Sequence, residues 1–217
     1  MNIPSRAVRI WDLPTRLFHW AFAALLLAAW ISGQFGGSDW REWHMRAGFG
    51  VLALLIFRVM WGFAGDRYAA FASFPLSIGA AGRYLRTGGR AAGHSPLAAF
   101  SVYALLGAAA LQVGTGLMTA DELVNEGPWV KLASDRTVSL MTSIHAINRW
   151  ILLALVLLHL AAIAWYSVRG ENLLRPMIDG NQRGLVATAA DDGTVIRLRG
   201  MLLALLAIVL TSVLVTL

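Results

Sequence analysis

The sequence predicts an all-α integral membrane protein, with a four-helix transmembrane bundle and a peripheral fifth C-terminal transmembrane helix. Three observations lead there. Hydrophobic residues make up 58% of the 217-residue chain and charged residues only 14%, and the mean hydropathy is +0.62, far from the balance of a soluble domain. Five apolar runs, roughly 15–35, 43–64, 97–119, 137–168 and 200–217, are each about as long as one bilayer crossing requires. The runs are continuous rather than alternating, so they cross as helices and not as barrel strands.

The first run opens with LFHW behind Arg6, Arg9 and Arg16. It is long for the apolar core of a signal peptide and further spans follow, so it reads as a first transmembrane helix. Between the second and third runs, residues 65–96 form a connection rich in Gly and Arg, in which FPLSIGAAGRYLR reads as a short interfacial helix. The fourth run is the stretch SIHAINRWILLALVLLHLAAIAWY. A second polar connection, 170–199, contains ENLLRPMIDG and the turn DDG, and leads to the last run. No repeat, low-complexity tract or separate soluble domain interrupts the chain. Trp11, Trp40, Trp43, Trp61 and Trp129 fall near the ends of runs, as an aromatic belt would.

Arginine placement sets the expected orientation. With the N-terminus cytoplasmic, the inner segments hold Arg6, Arg9, Arg16, Arg58, Arg67, Arg83, Arg86, Arg90, Arg169, Arg175, Arg183, Arg197 and Arg199. The outer side keeps Arg41, Arg46, Lys131, Arg136 and Arg149, offset by Asp39, Glu42, Asp121, Glu122, Glu126 and Asp135. The positive-inside rule then gives N-in, C-out with five spans. The pI near 10.7 reflects cytoplasmic arginines facing anionic membrane lipid, and no nucleic-acid surface is implied. The chain has no cysteine, which excludes disulfides, thiolate-ligated clusters and covalently attached c-type haem.

Four histidines carry the chemistry. His145 and His159 lie in the fourth run, and His19 and His44 open the first and second. Fourteen residues of helix advance roughly 21 Å and leave two side chains within roughly 40° of one face. Neutral imidazole is the commonest metal ligand, and ionisable groups inside a span usually serve a site. The predicted topology puts His44 and His145 near the outer face, and His19 and His159 near the inner one.

No Asp or Glu lies inside a span, which disfavours zinc or non-haem iron. Haem b fits better, because it needs two axial imidazoles, a slot between helices and cations for its propionates. The donor sets expected are His44 with His145 for an outer haem and His19 with His159 for an inner one. Gly48, Gly50, Gly107, Gly114 and Gly116 either open such a slot or serve close helix packing. Arg16, Arg46, Arg58 and Arg149 stand near the histidines in sequence or in expected depth, as propionate partners or as side chains snorkelling to the interface. His94, in GHSP ahead of the third run, sits in a loop and is read as a turn or helix-capping residue rather than a ligand. Protonation of a quinone or contact with an inner propionate is its alternative role.

The stretches VRIWDLPTRLFHW, EWHMRAGFGVLALLIFRVMWGFAGDRYAAF, GHSP, TGLM, HAINRWILLALVLLHLAAI and ENLLRPMIDG occur in that order. Together they resemble the bacterial cytochrome b561 family, in the group containing cytochrome b subunits of nickel–iron hydrogenases. The resemblance covers about residues 7–180. It implies a four-helix diheme core in the bacterial inner membrane that exchanges electrons with a quinone pool, and by motif position it carries ligation to His19, His44, His145 and His159. The expected division is therefore 1–180 for the haem-binding membrane domain and 181–217 for a polar connection and a last span outside the family core.

The function expected on this basis is an electron-transfer subunit rather than a stand-alone enzyme. Electrons would pass between a periplasmic redox partner, a hydrogenase small subunit or a c-type cytochrome, and quinone. The partner would dock near 36–43 and 120–137. An inner quinone site would draw on Arg58, His94, Arg175 and the ENLLRP segment. The alternative is an autonomous superoxide:quinone oxidoreductase, ranked second because acidic residues offset the outer cations that would attract an anion.

Overall fold

The structure is a computed structural model and describes residues 7–35, 37–87, 91–120, 126–184 and 186–216. Arg6, Arg90, Asp121 and Glu122 of the charge argument, and part of the expected docking segments, lie outside the described residues. A short strand β1 (Val8–Arg9) precedes the helices α1 (Leu13–Ser32), α2 (Ser38–Ala64), α3 (Ile78–Thr87), α4 (Pro96–Gly116), α5 (Asp135–Val168) and α6 (Leu174–Asp179). The strand β2 (Asn181–Gln182) and helix α7 (Thr194–Thr216) complete the order. Helices α1, α2, α4, α5 and α7 are long and apolar enough to cross a membrane. Each falls on one of the five expected runs, and the expected interfacial helix is α3.

Two helices start earlier than the hydropathy suggests. α2 begins at Ser38 and α7 at Thr194, each taking a polar first turn that a search for apolar residues passes over. In α7 the first two turns carry Arg197 and Arg199, and each finds a partner. Arg197 pairs with Asp192 at 3.2 Å, while Arg199 donates to the Ala64 carbonyl at the end of α2 at 3.0 Å, a favourable position for a cation at a helix C-terminus.

The chain divides into two compact units, and each of the five long helices contributes to both. The first unit takes residues up to His19, Arg58–Tyr103 and Leu158–Leu203. Here β1 and β2 pair antiparallel, Val8 with Gln182 and Arg9 with Asn181. The Ile10 N–H then donates to the Gly180 carbonyl at 2.8 Å. Gly180 ends α6 with φ +84°, and a Cβ there would meet the Trp11 carbonyl at 2.7 Å, so only glycine suits the position. Asp12 caps α1 by accepting the Thr15 N–H at 2.7 Å. The Thr15 hydroxyl accepts the Trp61 indole N–H at 3.1 Å.

Asp192 ties the supposed linker to the start of the chain. Its carboxylate accepts the Leu13 N–H at 2.8 Å and pairs with Arg9, Arg16 and Arg197. The connection before α7 is thus a docked segment. Trp61 is completely buried, so it is an interior residue and not a member of an aromatic belt, while Trp11 is half-buried and packs on His94. Trp40 and Trp43 are exposed, as a belt requires.

The second unit takes Trp20–Phe57, Ala104–Leu157 and residues from Ala204 onward. Its core is Val51 and Leu55 of α2, Ala109 of α4 and Leu152 of α5, with Phe22, Leu25 and Leu26 of α1 packed against them. Gly50 serves this packing, because a Cβ there would lie 2.7 Å from Leu25. Trp129 donates its indole N–H to the Leu214 carbonyl of α7 at 2.7 Å, a specific bond rather than a generic interfacial placement. Outward-facing Leu27, Leu157, Leu206 and Ile208 remain exposed, as lipid contact demands.

Candidate functional site

Each unit holds one histidine pair. In the second, His44 of α2 and His145 of α5 have ring centroids 6.1 Å apart and planes at 81°. In the first, His19 of α1 and His159 of α5 lie 6.5 Å apart at 53°. These are the pairs that the sequence matched by depth.

The spacing has a chemical meaning. Two imidazoles sharing one metal, each nitrogen about 2 Å from it and each ring centre about 1 Å further back, hold their centres about 6 Å apart. Among the described residues no group of three or more His, Asp or Glu could hold an ion, so each pair supplies only two donors. A zinc site needs about four protein ligands or three with water. A haem iron takes four nitrogens from the macrocycle and two from the protein, and the donor count fits it.

The ring tautomers of the second unit also fit. His44 Nδ1 lies 2.8 Å from the Ala29 carbonyl, and His145 Nδ1 lies 2.9 Å from the Gln112 carbonyl. A carbonyl can only accept, so Nδ1 carries the proton in both rings and Nε2 keeps its lone pair for a metal. Each ring rests on a glycine. A Cβ at Gly33 would come within 3.0 Å of His44 Nδ1, and one at Gly116 within 3.0 Å of His145 Cε1. Cβ atoms at Gly48, Gly107 and Gly114 would meet nothing within 4 Å. Gly107 and Gly114 are exposed and Gly48 is half-buried, so close helix packing is not what these three positions serve.

A family model described as prokaryotic cytochrome b561 matches residues 10–180. The chain belongs to that family. It is therefore a multi-span membrane b-type cytochrome of electron transport, and haem b is the cofactor that membership implies. Comparisons with curated proteins and with solved structures return no significant match.

The arginines of this b561 chain differ in how far they are already engaged. Arg46 pairs with Glu42 on its own helix, both exposed. Arg16 donates to the Ile178 carbonyl at 2.6 Å and pairs with Asp192 at 3.5 Å, though its Nε is buried without a hydrogen bond. Arg149 stacks over Trp150 at 5.1 Å, and its Nε is likewise bare. Arg58 is 3% exposed, donates Nη2 to the Ala69 carbonyl at 3.1 Å, stacks over Phe71 at 4.7 Å and leaves Nη1 unbonded. Arg58, Arg149 and Arg16 thus retain donor capacity that a carboxylate could take up.

His94 lies between Trp11 and Phe74, 4.8 and 4.2 Å from their ring centroids. Burial, with the Arg58 charge added, pushes its pKa down to about 3, so the ring is neutral at physiological pH. The helix-capping role expected of it belongs to Ser95, whose hydroxyl oxygen accepts the Ala98 N–H at 3.2 Å ahead of Pro96. Arg175 pairs with Asp179 at 3.0 Å, and Asn172 of ENLLRP accepts the Arg175 N–H at 2.9 Å, so that segment organises α6.

Three participants escaped the sequence reading. Gly33 had no apparent neighbour at the end of an apolar run. Asn148 and Gln112 are polar residues within spans, a signal in themselves. Asn148 Nδ2 donates to Gln112 Oε1 at 2.8 Å, and Gln112 Nε2 donates to the His145 carbonyl at 3.2 Å.

Proposed function

We propose that the protein is a diheme cytochrome of the bacterial inner membrane, passing electrons between a redox partner at the outer face and the quinone pool. His44 with His145 holds the outer haem, and His19 with His159 the inner one. Ring spacings of 6.1 and 6.5 Å, with two donors and no third in each pair among the described residues, carry this reading. The iron supplies one-electron chemistry. The chain's own residues hold the ring, fix the imidazole tautomers and exclude water from the slot.

Arg58, Arg149 and Arg16 neutralise propionates through donors the fold leaves free, and Arg46 does so only by leaving Glu42. The arginine bias supports a cytoplasmic N-terminus and a periplasmic C-terminus. The partner's class, a hydrogenase small subunit or a c-type cytochrome, rests on the family resemblance and not on a surface feature.

The test is the reduced-minus-oxidised spectrum of purified protein and of two variants. Close to two b-type haems per chain are expected, with His44→Ala removing one component and His19→Ala the other. Folded, colourless protein would end the reading, and loss of the same component in both variants would end the pairing. Superoxide consumption coupled to quinone reduction by the isolated protein would replace the relay with the autonomous oxidoreductase.

A further inference from the structure

Gln112 grips His145 at two points. Its backbone carbonyl accepts the ring Nδ1 proton at 2.9 Å, while its side-chain Nε2 donates to the His145 carbonyl at 3.2 Å. The amide of Gln112 is in turn oriented by Asn148, whose Nδ2 donates to Gln112 Oε1 at 2.8 Å and to the Ala108 carbonyl at 2.9 Å. Asn148 is 3% exposed and sits one turn beyond His145 on α5. Ala108 sits one turn before Gln112 on α4. The network therefore locks the two helices in register where the imidazole hangs, and it occupies the ring's only N–H.

We infer that Asn148 and Gln112 are positioning residues that set the orientation and basicity of the His145 imidazole, and through it the redox potential of the haem that His145 holds. This rests on the ligand reading above. Two physical consequences follow. A ring that donates Nδ1–H to a well-placed carbonyl is a more basic ligand, which favours the ferric state and lowers the midpoint potential. The 81° between the His44 and His145 planes is held at the His145 end by the same clamp. Axial imidazole planes near a right angle bring the lower d orbitals of a ferric iron close in energy, which raises the largest g value of its electron paramagnetic resonance signal. The 53° of the His19–His159 pair gives the other haem a separate, lower-g signal. Polar side chains between transmembrane helices also serve as packing glue, but glue alone has no reason to move one haem's potential and g value and leave the other's.

The experiment uses purified full-length holoprotein with Asn148→Leu and Gln112→Met, which remove the side-chain bonds of the clamp at nearly constant volume and leave the Gln112 backbone carbonyl less firmly aligned with the His145 Nδ1–H. Both variants are expected to keep two haems. The high-g signal, assigned to the outer haem by its loss in His44→Ala, moves to lower g and broadens. The outer midpoint rises so that the ferric-to-ferrous ratio at fixed potential changes roughly tenfold, about 59 mV for a one-electron couple. The inner haem stays unchanged, and the double variant matches the singles because both residues act through one network. An unmoved outer signal and potential in both variants overturns the inference, as does an equal shift of both haems. Should Asn148→Leu lose the haem outright, Gln112→Met decides. A His145→Ala protein that retained both haems would instead overturn the ligand reading itself.

Discussion

Gly33 lies against the His44 ring, so that a Cβ on the glycine would stand 3.0 Å from Nδ1 and 3.1 Å from the Ala29 carbonyl that Nδ1 bonds. A side chain at this position enters the space of the hydrogen bond that orients the His44 ring. If His44 and His145 hold a haem as proposed, Gly33→Leu is expected to abolish that haem and halve the b-type absorbance per chain, while Gly48→Ala, which meets nothing within 4 Å, leaves the backbone and the His44 ring where they are. Pyridine haemochrome quantitation on the purified variants checks this, and a full haem complement in Gly33→Leu would count against the arrangement.

Asp192 makes the fold sensitive to acid. Burial works to raise its pKa, yet the hydrogen bond from Arg197, the Leu13 N–H and the charges of Arg197 and Arg9 hold it below the ordinary carboxylate value. A depressed carboxylate contributes stability that is present above its unfolded pKa, about 3.9, and is lost as pH falls through the lower, folded value. Asp192→Asn should lower the thermal midpoint at pH 7 and flatten the acid limb of the stability profile. An unchanged acid limb would assign that sensitivity elsewhere.

Asp12 behaves in the opposite sense. Burial raises its pKa against the hydrogen bonds of Thr15 and Trp61, so its ionised form is costly while its capping oxygen is useful. Asp12→Ala removes the α1 cap and should cost about 1 kcal/mol. Asp12→Asn keeps an acceptor without the buried charge and should be no less stable than the parent at neutral pH. Thermal unfolding of the three proteins in one detergent distinguishes the two contributions.

Trp129 anchors α7 through the Leu214 carbonyl. Trp129→Phe keeps much of the aromatic packing and removes a bond worth about 1 kcal/mol. The expected result is a lower unfolding temperature with the haem spectrum intact, and a spectral change would mean that α7 contributes to haem binding.

The sequence alone determined the membrane setting and the five long helices, and it named the two histidine pairs whose rings the structure brings together. Each depends on quantities read along the chain, namely the length of an apolar run, the spacing of residues on a helix and the direction of each crossing. Tertiary structure decided what brings distant residues together. Arg9 and Asp192 are 183 positions apart, and no periodicity links them. Asn148 and Gln112 are 36 apart, and their bond exists only because α4 and α5 pack in one register. Gly33 and Gly180 are required by neighbours that approach through space. The helices were legible because a span is defined by local transfer of side chains into lipid. The carbonyls and amides that bond the histidines were not, because hydrogen bonds inside a bundle depend on helix rotation and depth to within an ångström, which hydropathy does not encode.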